Sequence, residues 1–163
     1  HGRDSCGVLT NGLPPPEPHH SMATHALYAW AKYRAQQKNI FTKIPKESGI
    51  AILGSVFIAS LLIYEAREHG LKIICCLESN KKRQQHVLLG IPILPIEDII
   101  FNKDIDHVIL SSERDQDPYL KNHISSMNPK VRTTSWKELC CVETKRTYKT
   151  QTRAIRILKE NAS

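Results

Sequence analysis

Between Ile44 and about Leu139, short β-rich apolar runs alternate with segments of helical periodicity, and few architectures accept that alternation. Gly49-Ile50-Ala51-Ile52-Leu53 reads as a strand buried on both faces. Ser55 to His69 follows with Phe57, Ile58, Leu61, Leu62 and Ala66 at helical spacing, and Gly70 closes it as a C-terminal glycine. Lys72 to Leu77 is a second strand, ending at Glu78. A basic stretch from Ser79 to His86 leads to the turn at Gly90, a third strand from Ile91 to Leu94, and Pro95 in the first turn of a helix from Ile96 to Phe101. Asp106 to Ser112 is a fourth strand, Pro118 to Met127 a helix, Val131 to Ser135 a fifth strand and Trp136 to Cys140 a final turn. The expected fold class is therefore α/β, a parallel sheet of about five strands with helices on both faces. Right-handed connections give the strand order 3-2-1-4-5.

Four regions divide the chain: a Pro- and His-rich lead-in over 1–22, an amphipathic helix and linker over 23–47, the α/β domain over 48–141 and a basic tail over 142–163. Pro14-Pro15-Pro16 and Pro18 give the lead-in neither helical nor strand periodicity, so it is expected to be extended or disordered. His1, His19, His20 and His25 fall where nothing preorganises them for a metal. From Ala23 to about Asn39, Leu27, Trp30, Ala31 and Arg34 share a helical face, with Thr24 as the N-cap.

The formal charge of +7 suggests nucleic acid only if it forms a folded patch. It does not: nine Lys/Arg against three Glu from Lys130 onward leave the preceding residues almost neutral. For the tail, whose Ile155, Ile157 and Leu158 give a weakly amphipathic stretch, three readings stay open: a docked helix, a linker, or an electrostatic arm. Five cysteines (Cys6, Cys75-Cys76 and Cys140-Cys141) lack the spacing of a zinc site or a disulfide framework and read as small buried hydrophobes in a reducing compartment. The chain opens on His1 and no secretory signal follows, so a cytoplasmic location and a piece of a longer protein are expected. The longest apolar run, Ile50 to Tyr64, is about 15 residues and falls short of a membrane span.

In an open parallel sheet, ligands bind beyond the carboxyl ends of the strands where the strand order reverses. That brings together Gly54-Ser55-Val56-Phe57, Glu78-Ser79-Asn80 and Ser111-Ser112-Glu113, and the run Lys81-Lys82-Arg83 after Glu78 reads either as cations reaching a nucleotide phosphate or as a solvated turn. The first segment offers backbone N–H groups at a helix start, which suit a phosphate. Glu78 lies about 24 residues beyond Gly54, near the spacing at which a carboxylate meets a ribose diol. Val56 stands where a dinucleotide loop needs glycine, and is expected to push a diphosphate away. His107 reads as a satisfied core or edge histidine, and His123 as exposed; no nucleophile pairs with either.

The blocks I50-A-I-L-G54-S-V-F-I-A59, L71-K-I-I-C-C-L-E78-S-N-K-K82, L89-G-I-P-I-L-P-I-E-D98 and D104-I-D-H-V-I-L-S-S112 resemble the Rossmann-like domain of bacterial polysaccharide and sugar-nucleotide biosynthesis proteins. That group includes the N-terminal domains of sugar acyltransferases and of capsule-type nucleotide-sugar dehydratases. CoA-binding domains and redox-sensing NADH repressors share its architecture. The resemblance implies a nucleotide-sugar ligand ahead of NAD or CoA, with Gly54 and Ser55 bordering a phosphate, Glu78 or Asn80 meeting ribose or base, and Ser111 and Ser112 lining the far wall. It also implies that any chemistry lies on a separate catalytic domain; a homo-oligomer is the other partner expected. The alternative is a non-catalytic interaction or oligomerisation domain with a vacant site.

Overall fold

The computed structural model describes residues 14–54 and 56–142. Its centre is β1 (Gly49–Gly54), hydrogen-bonded in parallel to β2 (Lys72–Glu78) on one side and to β5 (His107–Ser111) on the other. β4 (Ile91–Pro95) extends the sheet beyond β2 in parallel, and β6 (Arg132–Ser135) extends it beyond β5. These five strands follow the expected order. A sixth, β3 (Val87–Leu88), corrects the strand count: it pairs antiparallel with β4, Val87 opposite Pro92 and Leu88 opposite Ile91, and forms the sheet's outer edge. Leu89 (φ 50°) and Gly90 (φ 82°) both adopt left-handed backbone in the turn, which folds the basic stretch back as a hairpin.

Along β1 the side chains alternate between two cores, as the pleat requires. Ile50 and Ile52 join Cys76 and Ile109 beneath α1 (Met22–Ala35), α2 (Val56–Glu68) and α4 (Trp136–Leu139). Ala51 and Leu53 join Cys75, Leu77, Val108 and Leu110 beneath α3 (Asp117–Met127) and a 3-10 helix (Ile96–Ile100). Full burial on both faces explains why β1 and β5 carry apolar residues at every position but their ends, His107 excepted. Pro95 precedes the 3-10 helix as its N-cap, so the segment expected to be an ordinary helix is a tighter turn.

Two faces differ from the sequence reading. In α1 the buried residues are Ala26 and Ala29, Leu27 is exposed, and the N-cap is Ser21, whose hydroxyl accepts from the Thr24 N–H. The helix thus begins at Met22, within the segment read as lead-in; small alanines allow the close approach that Leu27 would prevent. In α2 the buried stripe is Ile58, Ala59, Leu62, Ile63 and Ala66, with Phe57 turned outward. Its Glu65 is only 3% exposed and accepts from Trp30 Nε1 at 2.6 Å and Arg34 Nε at 2.6 Å, tying α2 to α1. Among the described residues no helix is long and apolar enough to cross a membrane. The basic tail from residue 143 onward and the first 13 residues lie outside the described residues.

Candidate ligand-binding cleft

The carboxyl ends of β1, β2 and β5 open into a cleft of about 630 Å³ at the point where the strand order reverses. Its floor is set by Gly54, which stands opposite Ser111 in the β1–β5 pairing with φ of 133°. A Cβ at Gly54 would lie 2.8 Å from Ser112 N and 2.9 Å from the Ser111 carbonyl carbon. The glycine is therefore demanded by backbone conformation and by the proximity of β5, independently of any ligand. Val56 and Phe57, the first two residues of α2, line the cleft and are 40% and 45% exposed.

The wall beyond β2 is built around Glu78. Its carboxylate is largely buried, with the side chain 16% exposed, and Oε1 accepts from the Asn80 N–H at 2.9 Å. Arg83 Nη1 approaches Oε2 at 3.5 Å. Asn80 Oδ1 accepts in turn from the Lys82 N–H at 3.0 Å, and Gln84 Nε2 donates to the Glu78 carbonyl at 2.9 Å, so the chain after β2 folds tightly back over the strand end. The carboxylate is held in one orientation with acceptor capacity left on both oxygens.

The opposite wall is the segment from Ser112 to Gln116, and α4 fixes it from behind. Trp136 Nε1 donates to the Ser112 carbonyl at 2.8 Å. Lys137, only 5% exposed, donates from Nζ to the Arg114 carbonyl at 2.9 Å and pairs with Asp117 Oδ2 at 3.3 Å. Ser135 Oγ donates to that same Asp117 oxygen at 2.6 Å. Within the wall, Ser112 Oγ accepts from Gln116 Nε2 at 3.0 Å and from the Arg114 N–H at 3.2 Å. Carbonyls that a loop would otherwise leave unpaired are thus satisfied by buried donors.

Of the residues singled out in the sequence, Gly54, Val56, Phe57, Glu78, Ser79, Asn80 and Ser112 line the cleft. Lys81 is exposed and does not, and Ser111 is fully buried at the end of β5, away from the lining. Ser55 lies outside the described residues. Sequence reasoning left out Leu53, Arg114, Gln116 and Leu120, all of which line the cleft; Glu113, expected at the switch point, and Arg83, read as part of a basic run beside the pocket, line it as well. For Arg114 and Gln116 the signal was positional: they fall in the short link between the fourth strand and the helix at Pro118, directly after Ser111-Ser112-Glu113.

His107 sits at the other end of β5, opposite Arg132 of β6, and takes no part in the cleft. Nε2 contacts Thr134 Oγ1 at 2.8 Å, while Nδ1 is buried without a partner. Burial first, and then Arg132, lower its pKa from the ordinary histidine value, against a weaker opposing pull from Asp106. His123 is exposed on α3, stacked on Tyr119 with centroids 6.1 Å apart.

Among the described residues the cleft lining carries carboxylates, guanidiniums, amides and two serines, but no histidine, cysteine or lysine. It can accept hydroxyl protons, balance a small charge and hold an apolar face. Comparison with known proteins finds no matching family model and no matching curated protein. Among solved structures, RSP, a Rex-family repressor, superposes with a TM-score of 0.47 at 12% identity, over 81% of this chain and 69% of that one. The structure of RSP in complex with β-NADH gives 0.46 at 12% identity, over 81% and 70%.

Proposed function

We propose that this chain is a nucleotide-binding domain whose ligand enters the cleft at the ends of β1, β2 and β5 and sets its ribose hydroxyls on Glu78. The observation that carries the reading is the Glu78 carboxylate itself, largely buried at the end of the second strand, oriented by the Asn80 N–H and part of the cleft lining. Two oxygens of one carboxylate accept from two adjacent hydroxyls, a match to a diol that a single acceptor cannot make. The sequence resemblance points to a nucleotide-sugar as the narrower ligand, serving polysaccharide biosynthesis with chemistry on a separate catalytic domain or partner subunit; Val56 and Phe57 at the start of α2 argue against its diphosphate.

The test is a thermal-shift panel of the 163-residue protein with UDP- and GDP-sugars, NAD(H), CoA, mononucleotides and nucleosides, since a ligand of the native state alone raises Tm. A shift that disappears in Glu78→Gln and survives in Lys81→Ala, an exposed neighbour outside the lining, is the expected result. A second reading, the interaction domain with a vacant site, draws on Gly54, whose presence the β1–β5 contact explains without a ligand. No shift with any member of the panel would favour it.

A further inference from the structure

Resting on the nucleotide reading, we propose that the cleft selects a nucleoside or nucleoside monophosphate and rejects ligands built around a diphosphate, dinucleotides and nucleotide-sugars among them.

The first turn of α2 is where a diphosphate would have to approach backbone N–H groups, and two apolar side chains stand over it. Val56 and Phe57 are both substantially exposed and both line the cleft. A diphosphate brought there loses hydration against a Val and a Phe, with a β-branched side chain where close backbone approach needs none. The floor gives no relief: Gly54 is already packed against Ser111 and Ser112 at 2.8 to 3.0 Å from where its Cβ would be.

The charge of the lining agrees. Glu78 and Arg83 stand on one wall and Glu113 and Arg114 on the other, an even balance of charge, and Arg83 is already paired with Glu78. Such a lining accommodates a neutral ligand or one phosphate set by Arg114, whereas two adjacent phosphates would meet Glu113 in the same wall. What the cleft offers in place of anion contacts is a planar apolar surface: the Phe57 ring, with Leu53 and Leu120 also in the lining. A ring of that kind stacks on a purine or pyrimidine, and stacking is tolerant of base identity. Diol on Glu78 and base on Phe57 describe a nucleoside.

The experiment measures Kd by calorimetry for adenosine, AMP, ADP, NAD, uridine, UMP and UDP-glucose, on the whole chain and on Glu78→Gln, Val56→Gly and Val56→Ala, with Tm recorded for each variant. The expected result is that the nucleoside or monophosphate of one base series binds about tenfold more tightly than its diphosphate counterparts. Val56→Gly, or Val56→Ala if the glycine unfolds the helix start, should narrow that gap to about threefold or less. Diphosphates that bind as tightly as monophosphates, still dependent on Glu78, overturn the selectivity and leave the nucleotide site standing. Absence of Glu78-dependent binding across the whole panel overturns both.

Discussion

The indole N–H of Trp30 donates to Oε1 of Glu65 over 2.6 Å, joining the N-terminal helix to a carboxylate that is 3% exposed on the helix following β1. Arg34 Nε reaches the same oxygen at 2.6 Å, and His69 Nε2 lies 3.4 Å from the other. One acidic side chain of α2 thereby ties down α1, whose Ala26 also packs in the core. Glu65→Leu leaves the Trp30 N–H unpaired at a part-buried position and is expected to lower stability by about 1–3 kcal/mol in urea unfolding. Glu65→Gln, which keeps an acceptor oxygen, should lose less. Equal stability of Glu65→Leu and the parent chain would show that this bond does not hold α1 in place.

Gly54→Ala meets two obstacles together: a φ of 133° that L side chains rarely adopt, and backbone of Ser111 and Ser112 within 3 Å of the new methyl. The expected loss is about 2–3 kcal/mol or more, read as a fall in the midpoint of chemical unfolding. Because the strain falls on the β1–β5 pairing, the loss should appear in the absence of ligand.

His107 makes stability depend on pH in one direction. Its folded pKa is lowered, chiefly by burial and then by Arg132, so the unfolded chain binds the proton more readily. The contribution is present in full above the unfolded value of about 6.5 and is lost as pH falls from there through the lowered folded value. His107→Gln should flatten the stability profile over that window and leave it unchanged above pH 7. An identical acid slope in the variant would assign the effect to other groups.

Burial raises the thiol pKa of Cys75 to about 12, of Cys76 to about 11 and of Cys140 to about 12. Few thiolates form at these positions at pH 8, and the thiolate is the nucleophile. Brief iodoacetamide treatment of the native protein, read by peptide mass spectrometry, should spare these three and modify the exposed Cys141. Under denaturant all four should react. Labelling of Cys75 or Cys76 at the native rate of Cys141 would contradict their burial.

The sheet was legible because its central strands are apolar at nearly every inner position and its helices are not, so Ile50–Leu53 and Val108–Leu110 have one plausible place each. The short antiparallel β3 was not, since Val87-Leu88 is two residues long and its turn uses Leu89 at positive φ, an uncommon residue there. Helix faces were legible only approximately: periodicity placed Phe57 inward, but at the first turn of α2 it lies beyond the sheet edge, at the cleft. No local pattern in the sequence marks Glu65 or Lys137, whose partners lie 31 and 20 residues away. The cleft's floor at Gly54, its wall at Glu78 and the start of the opposite wall were legible from the strand ends. The rest of that wall needed Arg114 and Gln116, in a segment whose position depends on Trp136 and Lys137 in another element.

The central position of β1 bears on how the chain is made. One side of this strand is matched by β2, which follows within a short helical connection, but the other waits for β5, translated more than fifty residues later. During synthesis the amides and carbonyls on that side of Ile50 to Gly54 have no strand to meet, while the residues that will cover Ala51 and Leu53 from α3 are still unmade. A stalled or truncated product ending before His107 would present a long apolar strand edge, the kind of surface on which nascent chains recruit chaperones or one another.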